Sequence, residues 1–266
     1  MRLVATDLDG TVVRPDGTIS ARTRAALSAC LAAGVHVVYV TGRPPRWMGE
    51  IVEQTGHRGT AICGNGAVVY DLDTESVLEA RTLVAADVRT CVERLRTLMP
   101  AATFALETLA GFRREPTYVT RYDTGVEEEI GPLADLLADD PGVVKLLCRD
   151  ETSSGDAMLA LARSAVDGVA SATHSNPRDC LVELSMAGIS KAATLAQLAA
   201  ARGVDRADVV AFGDMPNDVE MLAWAGRGYA MAGGHPDALA AAGRTAPSCL
   251  DDGVAQVLET LLRRSA

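Results

Sequence analysis

Short apolar runs that end abruptly in polar residues or glycine recur along the first part of the chain: Leu3 to Thr6, Val35 to Val40 and Ala61 to Cys63. Continuous runs of this length, without alternation of polar positions, predict strands buried on both faces, the habit of a parallel sheet. Helical stretches lie between them. Ser20 is placed to N-cap an Ala/Leu-rich helix that stops at Gly34, and a second helix is predicted from Met48 to Thr55. Pro15-Asp16-Gly17, inside the segment Val12 to Ile19 with its β-branched residues, predicts a small hairpin between the first strand and the first helix. Gly64-Asn65-Gly66 reads as a turn with a further strand, Ala67 to Tyr70, beyond it.

After Arg81 the pattern changes. A helix is predicted over Asp87 to Met99, a strand over Thr103 to Glu107, a helix over Glu127 to Ala138, a strand over Val143 to Cys148, a helix over Asp156 to Val166, and strands up to Ser185. From Ser190 the first alternation resumes: a capped helix to Arg202, a strand Val209 to Phe212, a loop Gly213 to Asp218, a helix through Trp224, a strand Gly228 to Met231 and a terminal helix. The chain is therefore expected to be α/β, with a doubly wound parallel-sheet core in two segments, 1–81 and 188–266, interrupted by a second α/β unit over 82–187.

Composition narrows the function. A hydrophobic content of 48% in 266 residues is enough for one large core and a smaller one. The net charge of −10 argues against a nucleic-acid partner, which demands a basic stripe. No segment reaches the roughly 18 apolar residues of a membrane span and no signal-peptide core precedes Asp7, so no membrane partner and a cytoplasmic location are expected. The six cysteines are scattered singly, without the paired spacing of a zinc site. Cys63, beside glycines, is the one with a conceivable catalytic setting; a buried small hydrophobe is the simpler reading. Of the 25 basic residues only Lys145 and Lys191 are lysines, so each marks a place where a compact ammonium was chosen over a planar guanidinium.

Candidate chemistry sits where the predicted strands end. Asp7-Leu8-Asp9-Gly10-Thr11 follows the first strand, and in open parallel sheets ligands bind beyond the carboxyl ends of strands. Taken alone, such a run also fits a solvated acidic loop. Thr41-Gly42-Arg43 ends the second strand, offering a hydroxyl and a backbone N–H to anionic oxygens. Gly213-Asp214-Met215-Pro216-Asn217-Asp218 ends the fourth. Lys191 opens a helix, where a cation opposes the helix dipole and needs compensation.

Together these segments resemble the four motifs of the haloacid dehalogenase superfamily: DLDGT at 7–11, TGR at 41–43, Lys191 within GISKA, and GDMPND at 213–218. GNGA at 64–67, the insertion after it, and DDGVAQVLE at 251–259 resemble the Cof-type sugar phosphatase subgroup (subclass IIB, C2-type cap). Ala232-Gly233-Gly234 departs from the Gly-Asn-Ala turn frequent in relatives, which bears on the loop near the metal.

The resemblance implies a Rossmann-like core, a substrate-specificity cap over 82–187, and hydrolysis of small phosphorylated metabolites through an aspartyl-phosphate. It implies Asp7 as nucleophile and Asp9 as general acid and base, with Mg²⁺ held by Asp7, Asp214 and the Asp9 backbone carbonyl. Thr41, Gly42, Asn217 and Lys191 would hold the phosphoryl oxygens, and Asp218 would orient Lys191 or a metal-bound water. Alternatives are a phosphosugar mutase of the same superfamily, a receiver-type phosphoacceptor, and a binding protein without turnover. Arg113, Arg114 and Tyr118 are candidate substrate contacts in the cap. Lys145, flanked by Val143-Val144 and Leu146-Leu147, needs solvent or an anion and is expected to face the substrate. Lys191→Arg is expected to slow turnover while leaving folding almost unchanged.

Overall fold

A computed structural model describes residues 1–177 and 179–264; Arg178 and the last two residues of the second core segment, Ser265 and Ala266, lie outside the described residues. Contacts divide the chain into two compact units, Met1–Glu79 with Ser190–Ala266, and Ala80–Ile189.

The first unit begins with β1 (Leu3–Thr6), every residue of which is buried. Helix α1 (Ala21–Ala32) follows, its first turn capped by the Ser20 side chain accepting from the Thr23 N–H. Next come β2 (His36–Val40), α2 (Met48–Thr55), β3 (Thr60–Cys63), β4 (Val68–Asp71) and β5 (Ser76–Ala80). The predicted hairpin at 12–19 does not form as paired strands. Val12 and Val13 are buried, leaving one isolated bridge, Asp9 with Val13. A tight turn remains, closed by Arg14 N–H donating to the Thr18 carbonyl and held by the Asp16 carboxylate, which accepts from Thr18.

The inserted unit contains α3 (Ala85–Leu98), β6 (Thr103–Thr108), β7 (Phe112–Arg114), β8 (Glu128–Ile130), α4 (Leu133–Leu136), β9 (Val143–Arg149), α5 (Gly155–Ala165), β10 (Ala170–Thr173) and β11 (Leu181–Met186). Its sheet runs β10-β11-β9-β6-β7-β8. Apolar residues of α3 and α5 form one core with Phe104, Leu106, Leu146 and Leu184 of the strands. The helix expected over Glu127 to Ala138 is a correction. Residues 128–130 instead pair parallel with β7, where Arg113 and Arg114 take Glu129 and Glu128 in ion pairs. Gly131-Pro132 then breaks the segment, and only the single turn α4 is helical. Local helix propensity yields here to edge pairing and charge.

The chain returns to the first unit with α6 (Lys191–Ala201), β12 (Val209–Gly213), α7 (Val219–Trp224), β13 (Arg227–Met231), α8 (Pro236–Ala242), β14 (Thr245–Ala246) and α9 (Gly253–Arg263). The sheet order is β14-β13-β12-β1-β2-β3-β4-β5. The six strands from β14 to β3 are mutually parallel, and β4 runs antiparallel to β3. Helices α6, α7 and α8 bury Leu195, Met221, Leu222 and Ala238 against Leu3, Ala5, Val209 and Ala211 of the sheet, while α1 packs with α2, α9 and β2. Parallel strands put the carboxyl ends of β1, β2, β3 and β12 along one edge, the doubly wound arrangement that the apolar runs predict. Among the described residues no helix is long and apolar enough to cross a membrane.

In the inserted unit Lys145 sits buried on β9 and donates to the Glu183 carboxylate of β11, so an anion from within the unit claims its ammonium. Arg113 is engaged with Asp139 (2.6 and 2.8 Å) as well as Glu129, and Tyr118 is buried beneath the Arg149 guanidinium. Removing one partner of a buried pair strands the other charge. Lys145→Met is therefore expected to lower unfolding stability by roughly 3 kcal/mol in urea titration; a change below about 1 kcal/mol would mean that water already solvates Glu183.

Candidate active site

The site is built where β1 and β12, hydrogen-bonded neighbours, both end. Asp7 follows β1 directly, with its backbone N–H donating to the Phe212 carbonyl at 3.0 Å, so the two strand ends are tied where their acids emerge. Lys191, at the first position of α6, is fully buried and donates to Asp7 Oδ1 at 2.6 Å and Asp218 Oδ1 at 2.7 Å. The compensation that its place at a helix start requires comes from these two carboxylates, and the helix opens with the Ser190 side chain accepting from Ala193.

Asp218 serves two loops. Its second oxygen accepts from the backbone N–H groups of Asp214 and Met215, both at 3.0 Å, which fixes the turn carrying Asp214. With both oxygens so engaged, Asp218 orients Lys191 and the Asp214 loop. Thr11 donates to Asp214 Oδ1 at 3.3 Å. Gly10 has φ +78°, and a Cβ there would collide with the Asp214 carboxylate, so glycine is required for both its conformation and its lack of a side chain. The Ala232-Gly233-Gly234 loop meets this region through backbone: His235 N–H donates to the Asp214 carbonyl at 2.7 Å. The contact to Asp214 in this loop is thus a main-chain one.

Asp7, Asp214 and Asp218 bring carboxylate oxygens within 4.8 Å of one another, all in buried residues. Three carboxylates are gathered around one ammonium, so with all ionised the cluster carries a net charge of −2. Burial pushes Asp7 up to about 7, with Asp218 and Asp9 adding to the rise against the pull of Lys191. Burial, then the Asp7 and Asp218 charges, push Asp214 up to about 8. Burial alone would lower Lys191, but Asp218 and Asp7 outweigh it and hold the ammonium above its ordinary range. An oxygen-rich cluster with surplus negative charge fits a hard divalent cation.

Asp9 is placed differently. Its side chain is 60% exposed, and its two oxygens accept from Arg43 Nε at 2.9 Å and Nη2 at 2.6 Å, a bidentate clamp. Arg43 was legible in the sequence only as part of Thr41-Gly42-Arg43; its grip on Asp9 was not. Thr41 is buried and its hydroxyl accepts from the Arg43 N–H at 3.0 Å, while Gly42 between them is half-buried. Asn217 is buried and donates from Nδ2 to Asn65 Oδ1 at 3.0 Å, a partner that sequence reasoning left without a role. Cys63 is a buried residue at the end of β3.

A family model for haloacid dehalogenase-like hydrolases matches residues 4–258. The chain is 27% identical over 270 residues to the 5-amino-6-(5-phospho-D-ribitylamino)uracil phosphatase YitU of Bacillus subtilis (strain 168), covering 97% of this chain and 96% of that protein. It is 28% identical over 256 residues to the HMP-PP phosphatase of Cronobacter sakazakii (strain ATCC BAA-894), covering 90% and 87%. The fold superposes on the HAD subclass IIB sugar phosphatase BT4131 with a TM-score of 0.82 at 18% identity, covering 98% of this chain and 99% of that one.

The raised acids have a consequence for stability. Both titrate above the ordinary value of 3.8 in the folded chain, so between about pH 4 and pH 8 the folded state holds more protons than the unfolded state. These sites therefore subtract stability as pH rises through that window. In EDTA the melting temperature of the wild type is expected to fall relative to that of Asp214→Asn between pH 5 and pH 8. Parallel melting curves across that range would refute the raised titration of these two acids.

Proposed function

The chain belongs to the haloacid dehalogenase-like hydrolases, and from that premise we propose that it is a Mg²⁺-dependent phosphatase of small phosphorylated metabolites, sugar phosphates foremost, working through an aspartyl-phosphate on Asp7. The observation that carries this reading is the buried contact between Asp7 and Lys191, with Asp214 in the same cluster. A carboxylate attacks an anionic ester only where its charge and the ester's are neutralised together.

Asp7 Oδ attacks phosphorus while the bond to the leaving oxygen breaks, and Asp9 gives that oxygen a proton, releasing an alcohol. Water then attacks the phosphorus of the aspartyl-phosphate, passing its proton to Asp9. The bond from Asp7 to phosphorus breaks, and inorganic phosphate leaves. Asp7, Asp214 and the Asp9 main-chain carbonyl would hold Mg²⁺, which when bound would supply neutralising charge to the attacking carboxylate and to the ester. Lys191, Asn217, the Thr41 hydroxyl and the Gly42 N–H hold the phosphoryl oxygens. Arg43 keeps the Asp9 carboxylate in one orientation with both oxygens as acceptors, the arrangement of the step in which Asp9 takes the proton of the attacking water; the earlier donation to the leaving oxygen requires one of the two Arg43 bonds to be released.

The inserted unit is read as the cap that discriminates leaving groups. The named relatives act on a ribitylamino-uracil phosphate and on HMP-PP, chemically different leaving groups on one core. That contrast supports specificity residing outside the shared phosphoryl site.

Asp7→Asn is expected to remove nearly all release of phosphate from an aryl phosphate and to weaken Mg²⁺ binding in calorimetric titration. EDTA should abolish turnover and Mg²⁺ restore it. Activity of Asp7→Asn within tenfold of wild type, or hydrolysis indifferent to EDTA, would end this reading, and return of the phosphoryl group to sugar in place of free phosphate would mark a mutase.

Lys191→Arg keeps the charge but replaces a compact donor by a wider fork, with an expected loss on the order of 100-fold in kcat, about 2.7 kcal/mol. The sequence-based expectation of unchanged folding is revised, because Lys191 has no exposed surface and the larger guanidinium must displace packed neighbours. Its melting temperature should fall as well. Wild-type turnover by Lys191→Arg would remove Lys191 from the phosphoryl site.

A further inference from the structure

No step from ester to phosphate uses the turn Gly64–Gly66, yet it touches three of the loops that do. Asn65 N–H donates to the Thr41 carbonyl and Gly64 N–H to the Arg43 carbonyl, both at 3.0 Å, which ties the turn to the loop after β2. The Gly66 carbonyl accepts from Thr194 Oγ1 of α6 at 2.7 Å. Gly66, at φ +109°, lies so close to the Ser190 carbonyl that any Cβ would overlap it, and Ser190 is the residue before Lys191. Asn65 Oδ1 receives Asn217 Nδ2 from the loop after β12.

The Asn65–Asn217 bond has a further feature. Asn217 Oδ1 is buried and has no partner among the described residues, so the bond from Nδ2 to Asn65 is what sets the direction of the amide. An amide without such a bond must give up the freedom to rotate, and break whatever other contacts it finds, before it can present its N–H groups to an anion, whereas one already held by its nitrogen keeps its second N–H in place. Asn65 itself sits at φ 56°, ψ 29°, a left-handed conformation that asparagine tolerates far better than branched or bulky residues.

We propose that Asn65 is a positioning residue for phosphoryl binding: it orients the Asn217 amide so that an N–H is kept for a phosphoryl oxygen, while the glycines on either side set the Thr41–Arg43 loop and the start of α6 at one spacing. The inference rests on the phosphatase reading and adds to it the residue that decides how Asn217 faces the anion. It also accounts for the sequence Gly-Asn-Gly. The central position calls for a residue that accepts left-handed backbone and carries an acceptor oxygen, and the last for one without a Cβ.

Asn65→Gly tests this, because glycine accepts the left-handed backbone and removes the side-chain amide, the acceptor for Asn217 with it. KM for an aryl phosphate and Ki for inorganic phosphate should each rise about tenfold, with kcat changed less than about threefold, the signature of lost binding common to ground and transition states. In an Asn217→Ala background, Asn65→Gly should add nothing, since it acts through the residue already removed. A merely structural role would lower the melting temperature and kcat together and would be additive with Asn217→Ala. Should the variant not fold, the wild type still decides: the Asn217 side-chain amide signals, assigned with Asn217→Ala, should shift in a nitrogen-proton NMR spectrum on adding inorganic phosphate with Mg²⁺. Unshifted signals, additivity of the two substitutions, or an unchanged Ki would overturn the proposal. A dead Asp7→Asn alongside a wild-type Asn65→Gly would sink this inference alone, whereas an active Asp7→Asn would sink the phosphatase reading beneath it.

Discussion

One buried ammonium organises this molecule's chemistry. Lys191 reaches Asp7 from the end of β1 and Asp218 from the turn after β12, residues 184 and 27 positions away in sequence. Taking such charges out of water costs several kcal/mol per ion, and the cost is offset only when geometry and further hydrogen bonds are good. Asp218 meets that condition by spending its second oxygen on the backbone of the Asp214 turn. The ion pair and the loop that carries the third acid are thus one structure: whatever moves Lys191 also moves Asp214.

The same cluster is deliberately unbalanced. Burial, with the neighbouring carboxylates adding to it, raises Asp7 and Asp214 and takes away stability as pH rises from about 4 to about 8. Sites that break the rules of charge satisfaction are where function is expected, because there the missing partner is a ligand. The ionic pairs of the inserted unit behave otherwise. Arg149 meets Asp179 at 2.5 Å, Arg113 meets Asp139 and Glu129, and Lys145 meets Glu183, so each of these cations finds its acids within that unit. Ionic contacts there hold a fold; the net negative charge of the core cluster is what fits a divalent cation.

Rigid connections then carry the geometry across the sheet edge. Hydrogen bonds between backbone groups link the loops after β2 and β3, and an amide pair links β3's turn to the loop after β12. Four loops of a parallel sheet are by nature independent excursions from separate strands. Here they cross-brace one another, so groups that must lie within fractions of an ångström of their working positions rest on more than a single strand end.

The order of apolar runs by itself determined the doubly wound core, because strands buried on both faces cannot tolerate polar alternation and so declare themselves. The acids, Thr41, Lys191 and Asn217 were legible for the same reason: each follows such a run or opens a helix, and a parallel sheet gathers those positions at one edge. The hairpin at 12–19 and the helix at 127–138 were misread because their outcome depends on partners distant in sequence, buried valines in one case and the arginines of β7 in the other. The Arg43 clamp on Asp9, the Asn65 hold on Asn217 and the full burial of Lys191 were decided by tertiary structure alone. A one-dimensional pattern states which residues emerge at the sheet edge. Which of their atoms meet depends on side-chain directions across strands that only packing brings together.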